Sequence, residues 1–194
     1  MNFLVVILSY VIGLFPSAYI AGRLCTGIDI NTVGDGNAGA ANVYRNIGHV
    51  AGMAVLGTDI GKGAIAVLID QAIVSQPVVF LCGLAVVAGH NWPIFRKFKG
   101  GRGLATTIGV VLALLPVAMA ILMAAAAVPF LKKQSLILTG SILFAPLPLL
   151  AWLLGAPLQL GLYGVALACL AGIMHLVTTR NLTEAQKREA MYMR

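Results

Sequence analysis

Cations and glycines crowd into one short stretch of this apolar sequence. Four cations and three glycines fall within eight residues: Arg96, Lys97, Lys99, Gly100, Gly101, Arg102 and Gly103. Glycines let a backbone turn tightly and bring its N–H groups close to a ligand. The N-terminus of the apolar helix that follows adds unpaired N–H donors and partial positive charge. The stretch therefore predicts a phosphate-binding loop; the alternative is a membrane-surface loop whose cations lie on the cytoplasmic side.

A second glycine-rich stretch lies earlier in the chain, within a loop at residues 24–48 that is too polar to lie in lipid. We expect a short helix to begin near Gly39 or Ala40, which places Asn42 and Arg45 three residues apart on one helix face. If both glycine-rich loops lie on the same membrane face, they can hold one phosphate between them while grooves between helices hold an acyl chain.

The composition indicates an integral membrane protein built mainly of helices. Of the 194 residues, 60% are hydrophobic and only 10% are charged, whereas soluble domains carry about 25% charged residues. The net charge of +7 is better explained by cations beside anionic lipid headgroups than by nucleic acid, so we expect no nucleic-acid partner. The three cysteines are too far apart for a metal site or a disulfide framework.

The apolar runs predict an all-α fold, a single polytopic membrane domain over residues 1–194. We expect seven transmembrane helical segments, at residues 3–22, 50–74, 77–92, 104–114, 117–131, 135–154 and 158–177. Two of them, 104–114 and 117–131, are short for a full crossing, which needs about 20 residues. A surface helix is predicted at residues 183–190.

The distribution of cations predicts the orientation. If Pro116 breaks the long apolar segment 104–131, that segment crosses the membrane outward and returns. Lys132 and Lys133 then lie on the same side of the membrane as the other loop cations. The N-terminus is then outside, and the C-terminus and both glycine-rich loops are cytoplasmic. Within the span at 50–74, Asp59 and Lys62 are predicted to form an ion pair, which acts either as a packing strut or in the site.

Three blocks of sequence carry a family resemblance. Val33 to Asn42, followed by Arg45, is similar to V-G-S-G-N-x-G-A-T-N-x-x-R, and Asp59 to Gly63 is similar to D-x-x-K-G. Gly89 to Thr106 is similar to G-H-x-x-P-x-F-x-x-F-K-G-G-K-G-x-A-T. Over nearly its whole length the chain resembles the bacterial acyl-phosphate:glycerol-3-phosphate acyltransferases.

The resemblance implies transfer of a fatty acyl group from acyl phosphate to the 1-hydroxyl of glycerol 3-phosphate, giving lysophosphatidic acid and phosphate in phospholipid synthesis. It also implies a seven-helix fold in the cell inner membrane, with membrane lipids as partners and the active site on the cytoplasmic face. Acyl phosphate is already activated, so we expect neither a cofactor nor a metal. Catalysis then requires positioning of two anions and stabilisation of developing charge.

The candidate residues follow from the chemistry of the glycine-rich loops and from the family resemblance. The predicted catalytic residues are Asp35, Arg45, Arg102 and His175. The predicted substrate-binding residues are Gly34, Gly36, Asn37, Gly39, Asn42, Lys99, Gly100, Gly101 and Gly103. Backbone N–H groups of Gly34, Gly36, Gly100, Gly101 and Gly103 are expected to cradle phosphate, with Arg45, Lys99 and Arg102 as cationic clamps.

The sequence departs from the family pattern at four positions of the expected site: Asp35 replaces serine, Ala41 threonine, Arg102 lysine and Thr178 asparagine. A carboxylate among phosphates is repulsive unless it is paired. We therefore hypothesise that Asp35 pairs with Arg102, whose planar fork suits a carboxylate; alternatively, Asp35 acts as a general base. The departures leave two further functions open, an inactive binding or regulatory paralogue and a lipid-phosphate transporter.

Overall fold

A computed structural model describes residues 2–132 and 134–192 of the chain. These residues form eleven α-helices: α1 (Asn2–Gly13), α2 (Ser17–Thr26), α3 (Ala40–Asn46), α4 (His49–Ile73), α5 (Gln76–Asn91), α6 (Leu104–Leu114), α7 (Pro116–Leu131), α8 (Leu136–Phe144), α9 (Leu147–Leu153), α10 (Leu158–Thr179) and α11 (Glu184–Met191). Over the same ranges, the β-structure is limited to an isolated bridge between Ser135 and Tyr192. Lys133 and Arg194, two of the cations counted for the orientation, lie outside the described residues.

The helical, membrane-embedded architecture predicted from composition is confirmed. Five segments of the described chain are long and apolar enough to cross a bilayer: Asn2–Thr26, His49–Ile73, Gln76–Arg96, Leu136–Leu153 and Leu158–Thr179. The shorter apolar helices α6 and α7 meet at Leu115, directly before Pro116. The predicted break in the long apolar segment is therefore present.

Two of the predicted spans are not continuous helices. The first, predicted at 3–22, stops at Gly13, restarts at Ser17 and continues to Thr26. The segment predicted at 135–154 is interrupted between Phe144 and Leu147. Each interruption contains a proline, Pro16 or Pro146, which has no N–H to donate to the preceding turn.

The turn after α7 lies at the same end of the molecule as the loop before α3. Ser135 bridges Tyr192, and the Tyr192 carbonyl accepts a hydrogen bond of 2.8 Å from Arg45 Nη1. Helices α6 and α7 therefore leave this end of the molecule and return to it.

The core depends on close helix contacts at small residues, as is common between membrane helices. A Cβ added at Gly63 of α4 would overlap the carbonyl oxygen of Thr106 on α6, and one added at Gly109 would overlap that of Ile60. Helices α1 and α5 approach each other in the same way at Gly13 and Gly89. These contacts fix the relative positions of the helices from which the polar loops extend.

The glycine contacts predict different effects for two substitutions on the same helix. Gly63→Ala should lower the free energy of unfolding by about 1–3 kcal/mol because α4 and α6 must separate to admit the methyl group. Gly57→Ala is the matched control, since nothing lies within 4 Å of the added Cβ, and alanine there should be neutral or slightly stabilising. Thermal unfolding in detergent measures both. Equal midpoints for the two variants would contradict the close-contact interpretation.

Candidate functional site

A buried polar network joins the break after α1 to the end of α5. The predicted pair of Asp59 and Lys62 is present, with Lys62 Nζ 2.8 Å from Asp59 Oδ1. Lys62 also donates to the Phe15 carbonyl at 3.2 Å and lies 2.8 Å from His90 Nδ1. Ser17 Oγ donates to Asp59 at 2.7 Å. Because an ammonium group can only donate, His90 must accept at Nδ1 and carry its ring proton on Nε2.

His90 in turn holds the glycine turn of residues 100–103. The N–H of Gly101 donates to the His90 carbonyl, and that of Gly100 to the Asn91 carbonyl, both at 3.2 Å. A Cβ at Gly101 would overlap the His90 ring, and one at Gly100 would overlap the His90 carbonyl oxygen. Both N–H groups are thus used within the chain here, and their phosphate-cradling role stays a prediction. Glycine is needed here for close packing against α5.

The first glycine-rich loop is also held together by its own polar groups. Gly36 N–H donates to the Val33 carbonyl at 3.0 Å, so it too is used within the chain. Asn42 is buried, and its amide nitrogen lies 3.0–3.2 Å from the carbonyls of Ile30, Val33 and Asn37. The amide nitrogen of Asn42 thus holds this loop together, and its substrate contact stays a prediction.

The backbone conformation differs among three other glycines that are predicted to bind substrate. Gly34 has a φ of 60° and Gly103 one of 85°, a left-handed conformation that side chains rarely adopt. Gly103 precedes the first residue of α6, whereas Gly39 precedes α3 in an extended conformation. Asn37 is half-buried, and its backbone N–H donates to Asp35 Oδ1 at 3.3 Å.

The two glycine-rich loops meet at a buried ion cluster. Asp35 Oδ2 lies 2.9 Å from Arg102 Nη1 and 3.5 Å from Arg45 Nη2. The side chains of Asp35, Arg45 and Arg102 are 0%, 3% and 11% exposed. The hypothesised pair of Asp35 and Arg102 is therefore present, and so is the predicted convergence of the loops.

The C-terminal end of α10, which is predicted to be cytoplasmic, also contacts this cluster. Arg102 Nε donates to Thr178 Oγ1 at 3.0 Å, and the Thr178 hydroxyl donates to the Met174 carbonyl at 2.7 Å. His175 is half-buried one turn earlier, within electrostatic reach of Arg102 and Asp35. The four predicted catalytic residues thus lie in one region.

The cluster retains unused donors. Nε and Nη2 of Arg45 and Nη2 of Arg102 are buried and make no hydrogen bond, although the two Arg45 nitrogens lie within ion-pair distance of carboxylates, 3.6 Å from Glu189 Oε1 and 3.5 Å from Asp35 Oδ2. Unmade hydrogen bonds of buried groups destabilise a fold, and a bound ligand is one way to satisfy them. Burial lowers the pKa of the Arg102 guanidinium and Arg45 acts in the same direction, while Asp35 opposes both. Asp35 thus helps to keep the Arg102 guanidinium charged.

A narrow cleft and an apolar groove adjoin each other at the break before α2. The exposed Lys99 lines the cleft together with Ser17, Ala38 and His90. The groove has a volume of about 600 Å³, and its lining includes Val11, Ile65, Phe95 and Lys62. Both include Leu14, Phe15 and Pro16, so the groove and the cleft are continuous at this break. The cleft, at about 20 Å³, has room for about one water molecule.

Sequence reasoning missed the contribution of α11, which it placed on the surface. Glu189 Oε1 lies 3.6 Å from Arg45 Nε and accepts a hydrogen bond of 2.9 Å from Asn46. Gln186 Nε2 donates to the Gly34 carbonyl at 3.2 Å. The one available signal was charge, because Glu184 and Glu189 are the only acidic residues after Asp70.

Comparison with known proteins gives a consistent family. The family model described as glycerol-3-phosphate acyltransferase matches residues 3–185. Glycerol-3-phosphate acyltransferase 4 of Dehalococcoides mccartyi is 41% identical over 181 residues, which are 93% of this chain and 98% of that protein. A glycerol-3-phosphate acyltransferase of a Thermoanaerobacter species is 39% identical over 175 residues, covering 89% of this chain and 87% of that one.

The fold is also similar to solved structures. The crystal structure of PlsY, an integral membrane glycerol 3-phosphate acyltransferase, in its glycerol 3-phosphate form matches with a TM-score of 0.81 and 31% identity, over 93% of this chain and 91% of that chain. The lysophosphatidic acid form of PlsY matches with a TM-score of 0.80 and 28% identity, over 97% of each chain.

The ion cluster predicts a large stability effect at Asp35. Asp35→Asn should lower the free energy of unfolding by about 3–5 kcal/mol, since it leaves the buried Arg102 guanidinium without a counterion and Arg45 with only the partly exposed Glu189. Asp29→Asn is the matched control: Asp29 pairs with Arg96 at 3.2 Å, but its side chain is 25% exposed, so about 1 kcal/mol or less is expected. Denaturant unfolding in detergent gives both values. A loss at position 35 no greater than that at position 29 would contradict a dominant role for the buried pair.

Proposed function

This chain belongs to the glycerol-3-phosphate acyltransferase family, and from this membership we infer that it transfers a fatty acyl group to glycerol 3-phosphate in phospholipid synthesis. One structural observation links this function to particular residues. Asp35 and Arg45 from the first glycine-rich stretch and Arg102 from the second form a single buried cluster, in which three guanidinium nitrogens make no hydrogen bond. We propose that this cluster binds a substrate phosphate and that acyl phosphate is the acyl donor.

The proposed reaction needs no covalent enzyme intermediate. The 1-hydroxyl of glycerol 3-phosphate attacks the carbonyl carbon of acyl phosphate, forming the ester C–O bond. The bond from that carbon to the phosphate oxygen breaks, and phosphate leaves with the electron pair. The hydroxyl proton passes to a phosphate oxygen. The protein has to align the two anions and to stabilise charge on the carbonyl and leaving phosphate.

The geometry suggests distinct roles for the charged residues. Arg45 holds phosphate oxygens through Nε and Nη2, in the bidentate manner that guanidinium favours, and Arg102 holds one through Nη2. Lys99 supplies a second positive charge at the adjoining cleft. The burial of Asp35 between the two arginines supports the role of counterion over that of general base. His175 lies beside them, where it can contact substrate.

The apolar groove is a suitable place for the acyl chain of the donor. It opens between α1 and α4 and reaches Leu14, Phe15 and Pro16, which also line the polar cleft. A long apolar chain in this groove would leave its phosphate near Lys99. Burial of the chain is favourable by about 0.8 kcal/mol for each methylene removed from water.

Three of the four departures from the family pattern are in contact with one another. Asp35 lies 2.9 Å from Arg102, and Arg102 Nε donates to Thr178 at 3.0 Å. Changes that compensate one another are expected where a site is retained. The cluster therefore supports an active enzyme over the inactive paralogue.

The enzymatic proposal predicts turnover that depends on Arg45. Detergent-solubilised protein should form lysophosphatidic acid from acyl phosphate and glycerol 3-phosphate. Arg45→Ala should lower kcat/KM for glycerol 3-phosphate by about 10- to 1,000-fold, because it removes a charged partner from a desolvated site. Arg180→Ala, a change at an exposed cation beyond α10, should change it less than about twofold.

The outcomes of this assay separate the competing functions. Folded wild-type protein that binds glycerol 3-phosphate without turnover would favour the binding paralogue. Product formation in detergent, where no gradient exists, would exclude transport as the sole activity. Equal losses of kcat/KM for Arg45→Ala and Arg180→Ala would show that the cluster does not bind the substrate phosphate.

We further propose seven membrane crossings with the cluster on the cytoplasmic face, because the loop cations then share the inner side. In a cysteine-free background, Leu154→Cys at the exposed turn between α9 and α10 should react with a membrane-impermeant maleimide in intact cells. Arg180→Cys should react only after the cells are opened. The reverse labelling pattern would invert the orientation, and equal labelling of both positions in intact cells would contradict it.

A further inference from the structure

The proposed phosphate site is closed in this structure. The side chain of Arg45 is 3% exposed, so a substrate phosphate cannot reach its guanidinium group without movement of a covering element. The loop of residues 29–42 is held by its own hydrogen bonds to Asn42. Helix α11 is the other element over Arg45, and it reaches the loop from the far end of the sequence.

The contacts of α11 with the site are mainly polar. Glu189, Tyr192 and Gln186 meet Arg45, Asn46 and Gly34 through one ion pair and three hydrogen bonds. Among the side chains of α11, only that of Ala190 is buried. Water or a ligand can replace polar contacts at small net cost, whereas separating a large apolar interface is expensive. Helix α11 is therefore easier to detach than any span.

The two carboxylates at the arginine pair are not equivalent. The side chain of Asp35 is 0% exposed and contacts both arginines, whereas that of Glu189 is 32% exposed and contacts only one of the two, Arg45, at 3.6 Å. Displacing Asp35 would require rearrangement of both loops. Displacing Glu189 requires only that α11 moves outward. Glu189 is thus the exchangeable anion of the pair, in the position where an incoming phosphate oxygen would bind Arg45.

From these contacts we propose that Glu189 is an intramolecular competitor for the substrate phosphate, carried on a helix that must leave Arg45 before glycerol 3-phosphate binds. This inference rests on the proposed role of Arg45 in phosphate binding. Glu189 sets the affinity for glycerol 3-phosphate, because each binding event must first break its pair with Arg45. Binding of the phosphate and docking of α11 then exclude each other.

The first test measures KM for glycerol 3-phosphate in the full-length protein. Glu189→Gln keeps the shape of the side chain and removes its charge, so KM should fall about three- to tenfold. The matched control is Glu184→Gln, which removes the same charge from the same helix. Glu184 is paired with Lys187 at 2.9 Å and is largely exposed, so KM should change less than about twofold. An unchanged or raised KM for Glu189→Gln, or equal changes in the two variants, would overturn the proposal.

The second test does not depend on turnover. Trypsin cleaves after Lys187 and Arg188, both within α11. Saturating glycerol 3-phosphate should speed cleavage at these residues several-fold in the wild-type protein, whereas glycerol, which lacks the phosphate, should not. Unchanged or slower cleavage with glycerol 3-phosphate would overturn the proposal. Faster cleavage in a wild-type protein that shows no acyl transfer would support the competing helix and refute the enzymatic function instead.

Discussion

The site depends on one buried carboxylate shared by two guanidinium groups. Asp35 lies 2.9 Å from Arg102 and 3.5 Å from Arg45, in a region closed to solvent. Removing three charges from water is costly, and the attraction between them offsets the cost only when their geometry is well maintained. The surrounding fold must therefore hold two loops, far apart in sequence, in a fixed relation. Each loop alone would place an uncompensated charge in a desolvated position.

The membrane helices provide this fixed relation through contacts that differ from those in a soluble core. Lys62 links Asp59 of its own helix to His90 and to the Phe15 carbonyl at the break before α2. The His90 carbonyl then accepts from Gly101, beside Arg102. Polar groups inside a bilayer need such partners, since lipid offers none. Through these contacts the Asp59–Lys62 pair connects α4 to the glycine turn of residues 100–103.

The parts of this architecture that could be predicted from sequence follow from local rules. A bilayer requires long apolar runs, so the helices were recognisable, and the spacing of Asp59 and Lys62 was enough to predict their pair. The pair of Asp35 and Arg102 was predictable because an unpaired carboxylate would be repulsive there. The orientation of the glycine N–H groups was not predictable. Glycine serves a turn, a close approach and a ligand contact equally well, and composition does not distinguish these uses. The docking of α11 was missed because Asn46 and Glu189 are 143 residues apart and neither belongs to a periodic pattern.

Arginine at position 102 has a geometric consequence that lysine could not reproduce. Its Nη1 faces Asp35, its Nε donates to Thr178, and its Nη2 remains buried without a partner. A planar guanidinium group fixes these three directions at once, whereas an ammonium group is a single point of charge on a flexible stem. Two nitrogens can therefore hold the loop against α10 while the third makes no hydrogen bond and is left for the phosphate that we propose binds here. A carboxylate at position 35 is compatible with this arrangement, because it pairs with Nη1 of Arg102 and leaves Nη2 for the proposed ligand.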